Sequence, residues 1–121
     1  RGIFGQAEGR LLRMLGTETV EVAFKQEVRT GRAVLRSSVS GELKDYEIQI
    51  QELRMNESDV NKGMIFYVTD PDLLALTGGV IQGMSGSPIL QNGRLIGAVT
   101  HVFVNDPAKG YGIFAENMIE H

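Results

Sequence analysis

The sequence predicts a mainly β domain, an antiparallel barrel or sandwich carrying one or two short helices, and three observations lead there. Tyr46, Ile48 and Ile50 alternate with Asp45, Glu47, Gln49 and Gln51, the period of a strand with one buried face. Fifteen glycines against three prolines in 121 residues punctuate the chain with turns, while 42% AVILMFWYC leaves enough apolar mass for one core. Asn92-Gly93 between two apolar runs is the two-residue hairpin turn that needs positive φ.

In chain order, residues 11–15 fit either a strand or a short helical turn, and their pattern does not decide between them. Val20, Val22 and Phe24 alternate with Glu21, Ala23 and Lys25, which predicts a strand within 19–28 that Gly31 turns. Ala33-Val34-Leu35 and Val39 bracket a second β stretch, Gly41 turns again, and the Tyr46 strand follows. Residues 54–63 read as a polar link. Met64-Ile65-Phe66-Tyr67-Val68 is a bounded apolar run of strand length. Thr69-Asp70-Pro71 then starts a short helix: Thr69 or Asp70 caps it, Pro71 suits its first position, and Gly78 ends it. Pro88 leads into Ile89-Leu90, the Asn92-Gly93 turn and a returning strand from Leu95 to Thr100. Residues 105–110 read as a loop, and 111–119 as a closing strand ending in a helical turn. No internal repeat is visible, and the regular spacing of strands and turns suits a small barrel or sandwich.

The formal net charge of −3, with Lys and Arg dispersed, gives no basic footprint for nucleic acid and no polybasic membrane patch. No run approaches the roughly 20 apolar residues of a membrane span, and no signal peptide opens the chain. With no cysteine, disulfides, thiol catalysis and cysteine-ligated metal are excluded. Histidines stand only at His101 and His121, so a histidine-rich metal site is not expected, and no cofactor is called for. His121 reads as a terminal or tag-derived residue. The abrupt opening at Gly2-Ile3-Phe4-Gly5 suggests a chain cut from a longer protein.

The chemistry-bearing stretch is Gly83-Met84-Ser85-Gly86-Ser87-Pro88. Glycines at 83 and 86 free the backbone, so a bend there can hold the Ser85 hydroxyl outward and collect amide N–H groups in one small space, as an oxyanion hole requires. The plain alternative is a glycine-rich turn with a solvated serine. The succession of loop, strand, tight turn and strand favours the first reading. Asp70 fits a helix cap or the carboxylate that orients a catalytic histidine. Asp72 and Asp106 read as a first-turn dipole partner and a turn residue. The α/β-hydrolase elbow fails, because Ser87 stands at its last glycine and Pro88 leads into a strand.

Gly83-Met84-Ser85-Gly86-Ser87-Pro88 resembles the nucleophile region of trypsin-like serine peptidases. With Gly97-Ala98-Val99-Thr100-His101-Val102, Val104-Asn105-Asp106-Pro107, Gly110-Tyr111-Gly112, Gly2-Ile3-Phe4-Gly5, Lys25-Gln26-Glu27-Val28-Arg29-Thr30-Gly31 and Val68-Thr69-Asp70-Pro71, it is similar to the SpoIVB-type sporulation peptidases over nearly the whole chain. The resemblance implies the C-terminal part of a trypsin-like peptidase domain. Ser85 is then the nucleophile, Gly83 and Ser85 donate the oxyanion-hole amides, and Asp70 is the triad acid. Thr100, His101 and Val102 line the bound peptide. Met84 stands where digestive relatives carry the aspartate that pairs with a newly cleaved amino terminus, so that route of activation is not expected.

The family sets its catalytic histidine in a Gly-His motif ahead of the acid, and no histidine precedes Ser85 here. The reading of His101 as a residue of the substrate strand is preferred to that of a permuted base. The resemblance further implies a longer protein with a membrane anchor, a PDZ domain and the histidine upstream. Such a protein acts on a protein substrate between the membranes around a forespore, as a signalling protease that triggers activation of a late sigma factor. Expected consequences are an inactive fragment, membrane association only through the upstream segment, and a homo-oligomer or domain swap covering the face of a missing barrel. The competing reading is a non-catalytic β module that binds peptide by strand addition along residues 97–104.

Overall fold

In a computed structural model of the chain, residues 11–13, 19–80, 82–103 and 105–119 are described. The expectations for the opening residues, for Met14 and Leu15, for Val104 in the family motifs, and for His121 lie outside the described residues.

Strands β1 (Leu11–Arg13) and β2 (Thr19–Glu21) form a small antiparallel pair. The remaining strands are β3 (Gly31–Ser37), β4 (Lys44–Leu53), β5 (Met64–Val68), β6 (Pro88–Gln91), β7 (Arg94–Phe103) and β8 (Asp106–Phe114). They close a barrel in the order β3-β4-β5-β8-β7-β6, every contact antiparallel. A barrel, not a sandwich, is therefore the answer. The seam is short: β3 meets β6 only at Val34↔Leu90 and Leu35↔Ile89. Two short helices, α1 (Pro71–Thr77) and α2 (Ala115–Ile119), complete the fold.

Alternation fills the interior. Leu35 from β3, Tyr46, Ile48 and Ile50 from β4, Met64 and Phe66 from β5 and Ile89 from β6 are all 1% exposed or less. Leu73 of α1 is fully buried in the same core. Burying each such side chain is worth about 1.5–3 kcal/mol, so the pattern read from Tyr46, Ile48 and Ile50 decides which face of β4 turns inward. A second cluster of Val20, Val22, Leu90, Leu95 and Ala115 packs β2 and α2 against the hairpin of β6 and β7.

Two element expectations change. The strand expected within 19–28 stops at Glu21. Val22 makes a single parallel bridge to Leu95, and Lys25–Glu27 turn as a 3₁₀ helix, with the Phe24 N–H donating to Glu27 Oε1 at 2.8 Å. Gly31, at φ 119, begins β3 rather than turning the chain before it. The loop expected at 105–110 is the first half of β8. Lys109 pairs with Tyr67, and Gly110 with both Phe66 and Val102. Gly110 is a packing requirement: a Cβ there would lie 2.7 Å from the Phe66 ring.

Candidate active site

The segment between α1 and β6 is pinned at both ends by buried side chains. Gly78 ends α1 at φ 78, and its N–H donates to the Leu74 carbonyl. Val80 is buried, and its N–H donates to the Pro107 carbonyl at 2.7 Å. Gln82–Met84 make one 3₁₀ turn, and Met84, 2% exposed, anchors it in the barrel core. Ser85 follows and is exposed. Gly86 then turns the chain at φ 91, a region costly to a residue with a Cβ. The loop locks onto β7 through Gly86 N–H to Val99 O at 2.7 Å and Val99 N–H to Ser87 O at 3.0 Å, with Ser87 N–H on Met84 O at 3.0 Å. Gly83 differs from Gly86. Its φ is not positive, and a Cβ there would meet nothing within 4 Å, so the bend itself needs only one of the two glycines.

The predicted hairpin follows: Asn92 and Gly93 take φ 54 and 79, and Gln91 pairs with Arg94. It returns the chain as β7, whose Thr100 carbonyl accepts the Ser85 Oγ–H at 3.4 Å. Thr100 is the extra residue of a β-bulge, since Val99 faces Gly112 and His101 faces the adjacent Tyr111. His101 is exposed, and Val102 packs partly buried against the core. Phe103 and Tyr111 stack with ring centroids 4.7 Å apart, and Lys62 Nζ lies 5.5 Å from the Tyr111 ring centre. Among the described residues, no strand pairs with residues 100–103 on the side away from β8.

Asp70 caps α1. Its Oδ1 accepts the Asp72 N–H at 2.9 Å and its Oδ2 accepts the Glu47 N–H at 3.0 Å. Burial works against its charge, but the amides of Glu47, Asp72 and Leu73, with Lys44 nearby, outweigh it and hold the carboxyl below its ordinary value. A carboxylate at neutral pH that caps the helix results.

Ser85 and Asp70 thus stand on separate supports, one on β7 and the other on β4, and no described hydrogen bond joins them. No described hydrogen bond joins His101 to Ser85 either, whose hydroxyl is directed to Thr100. The amides of Gly83 and Ser85 lie in and directly after the Gln82–Met84 turn. Thr100 has a contact that the sequence did not signal: its hydroxyl donates to the Asn61 carbonyl, in a 3₁₀ turn at Val60–Lys62 within the segment read as a polar link. Among the described residues no cluster of His, Asp and Glu is spaced to hold a metal ion, and no helix is long and apolar enough to cross a membrane.

A family model described as SpoIVB peptidase S55 matches residues 1–119. No curated protein and no solved structure matches the chain.

Proposed function

Because this chain belongs to the SpoIVB peptidase S55 family, we propose that it works as a serine endopeptidase in which Ser85 is the nucleophile. One observation carries the assignment: Ser85 is exposed between a buried anchor, Met84, and a positive-φ glycine, Gly86, in the loop that leads into the β6–β7 hairpin. Asp70 serves as the acid that orients the histidine, and the amides of Gly83 and Ser85 take the charge of the tetrahedral intermediate. Residues Thr100, His101 and Val102 offer the free side of β7 to a peptide of the protein substrate, which pairs with it as an added strand.

The base comes from outside these residues. A carbonyl such as that of Thr100 cannot accept the serine proton, so Ser85 stays a poor nucleophile at neutral pH until an imidazole comes within about 3 Å of it. On this reading the chain forms the C-terminal part of a trypsin-like peptidase domain. Its full-length protein carries the histidine, a PDZ domain and a membrane anchor upstream, and starts activation of a late sigma factor between the forespore membranes.

A fluorophosphonate probe tests this. Ser85 labels strongly in the full-length protein, weakly or not at all in the 121-residue chain alone, and in neither after Ser85→Ala. Equal labelling of both forms would put the base inside these residues and make His101 the candidate. Folded proteins that both fail to label would favour the second reading, peptide capture on the unpaired side of β7 without catalysis.

A further inference from the structure

Successive carbonyls of a regular strand face opposite edges. Val99 turns its carbonyl to the serine loop, where Gly86 N–H donates to it at 2.7 Å. In regular register the Thr100 carbonyl would then face β8. It faces Ser85 instead, accepting Oγ–H at 3.4 Å. The cause is the bulge: with Val99 opposite Gly112 and His101 opposite Tyr111, Thr100 has no partner of its own on β8, and its peptide is free to rotate to the other side.

Such a bulge needs something to hold it. The Thr100 hydroxyl donates to the Asn61 carbonyl, and the Val60–Lys62 turn that contains Asn61 packs on both β7 and β8. That turn is braced in its own right by the Asp59 side chain, which accepts the Asn61 N–H at 3.0 Å. One residue therefore joins the two supports: through its side chain it holds the 60–62 turn, and through its carbonyl it holds the candidate nucleophile.

Resting on the reading of Ser85 as nucleophile, we propose that Thr100 is a positioning residue. Its hydroxyl, fixed on Asn61, keeps the bulge in the form that directs the Thr100 carbonyl to Ser85 and so presets the serine side chain before a base arrives. The requirement is for a hydroxyl on a stiff side chain. Valine keeps the shape and loses the donor, whereas serine keeps the donor.

The test uses full-length protein carrying Thr100→Val or Thr100→Ser, with kcat and KM on a peptide substrate, the rate of fluorophosphonate labelling, and the melting temperature. Thr100→Val should lower both kcat and the labelling rate by about tenfold while KM stays within about twofold, since small misplacements of a reacting group act on kcat. Thr100→Ser should recover most of the loss, and Thr100→Ala replaces Thr100→Val if the latter does not fold. Wild-type kcat and labelling in folded Thr100→Val would overturn the proposal. So would a raised KM at unchanged kcat, which assigns Thr100 to substrate binding alone. A failure of the underlying reading looks different: Ser85→Ala retains turnover, or folded wild-type protein does not label, and the nucleophile and its positioning residue fall together.

Discussion

Asp70 and Glu47 hold each other twice: the Asp70 N–H donates to the Glu47 carbonyl at 3.0 Å, and the Glu47 N–H donates to Asp70 Oδ2 at 3.0 Å. With Oδ1 on Asp72, both carboxylate oxygens are acceptors. Asn caps helices about as well as Asp, yet Asp70→Asn would place an NH₂ against one of these N–H donors. We expect a loss of about 1–2 kcal/mol in thermal unfolding. On the reading of Asp70 as the triad acid, kcat of the full-length enzyme should fall by about 10⁴-fold as well. Near wild-type kcat in folded Asp70→Asn would remove Asp70 from the catalytic set.

Acid should expose the same carboxylate. Its folded pKa lies below the ordinary value, so the stability it adds is complete above about pH 4 and is lost as pH falls through the depressed folded value. Denaturant midpoints of wild type and Asp70→Ala, compared from pH 7 downward, should differ at neutral pH and draw together as the pH falls through the depressed folded value. A gap that stays constant into strong acid would contradict the assignment.

The two loop glycines should part company on substitution. Gly86→Ala puts a Cβ at φ 91 and should cost about 1–2 kcal/mol while loosening the clamp on Val99. Gly83→Ala meets open space without positive φ and should leave the urea midpoint almost unchanged. Equal destabilisation by both would show that the bend is held otherwise.

Gly97, the one glycine of β7, should not tolerate a side chain. A Cβ there would sit 2.1 Å from the Ile113 carbonyl oxygen and 2.9 Å from the Met64 methyl group, so Gly97→Ala has to push β8 away or abandon the pairing. Little soluble folded protein is the expected yield, and a normal melting curve would refute it.

Tyr46 offers a gain. Its ring is in the core at 1% exposure, and its buried hydroxyl has no hydrogen-bond partner among the described residues. An orphaned buried hydroxyl costs about 1–3 kcal/mol, so Tyr46→Phe should match or exceed wild type in thermal stability. A clear drop in melting temperature would mean that the hydroxyl is satisfied in solution, by a trapped water for example.

What could be read from the residues was whatever local chemistry decides. Tyr46, Ile48 and Ile50 declared β4, Asn92-Gly93 declared its turn, and Asp70-Pro71 with Gly78 bounded α1, because period, turn geometry and capping act over a few residues. Contacts from elsewhere decided the rest. Gly110 reads as a loop signal alone but is required by the Phe66 ring on the neighbouring strand. The alternation from Val20 to Phe24 breaks where Val22 bridges to Leu95 and the Ala23 N–H donates to the Leu95 carbonyl. The bend that leaves Ser85 exposed was legible from Gly86, Pro88 and the hairpin. The hold of Asn61 on Thr100 was not, since nothing local links residues so far apart in sequence.

The two-pair seam between β3 and β6 also dictates an order of events in synthesis. Of the barrel strands the chain makes β3, β4 and β5 first, as a meander whose outer strands both lack a partner. Val34 and Leu35 wait for Ile89 and Leu90, and Met64 waits until Gly112 has left the ribosome. At roughly 5–20 residues per second, a nascent chain exposes these edges for seconds, that of β3 until β6 arrives and that of β5 until β8 does. The interval in which this domain is most prone to stick to a neighbour therefore ends with β8.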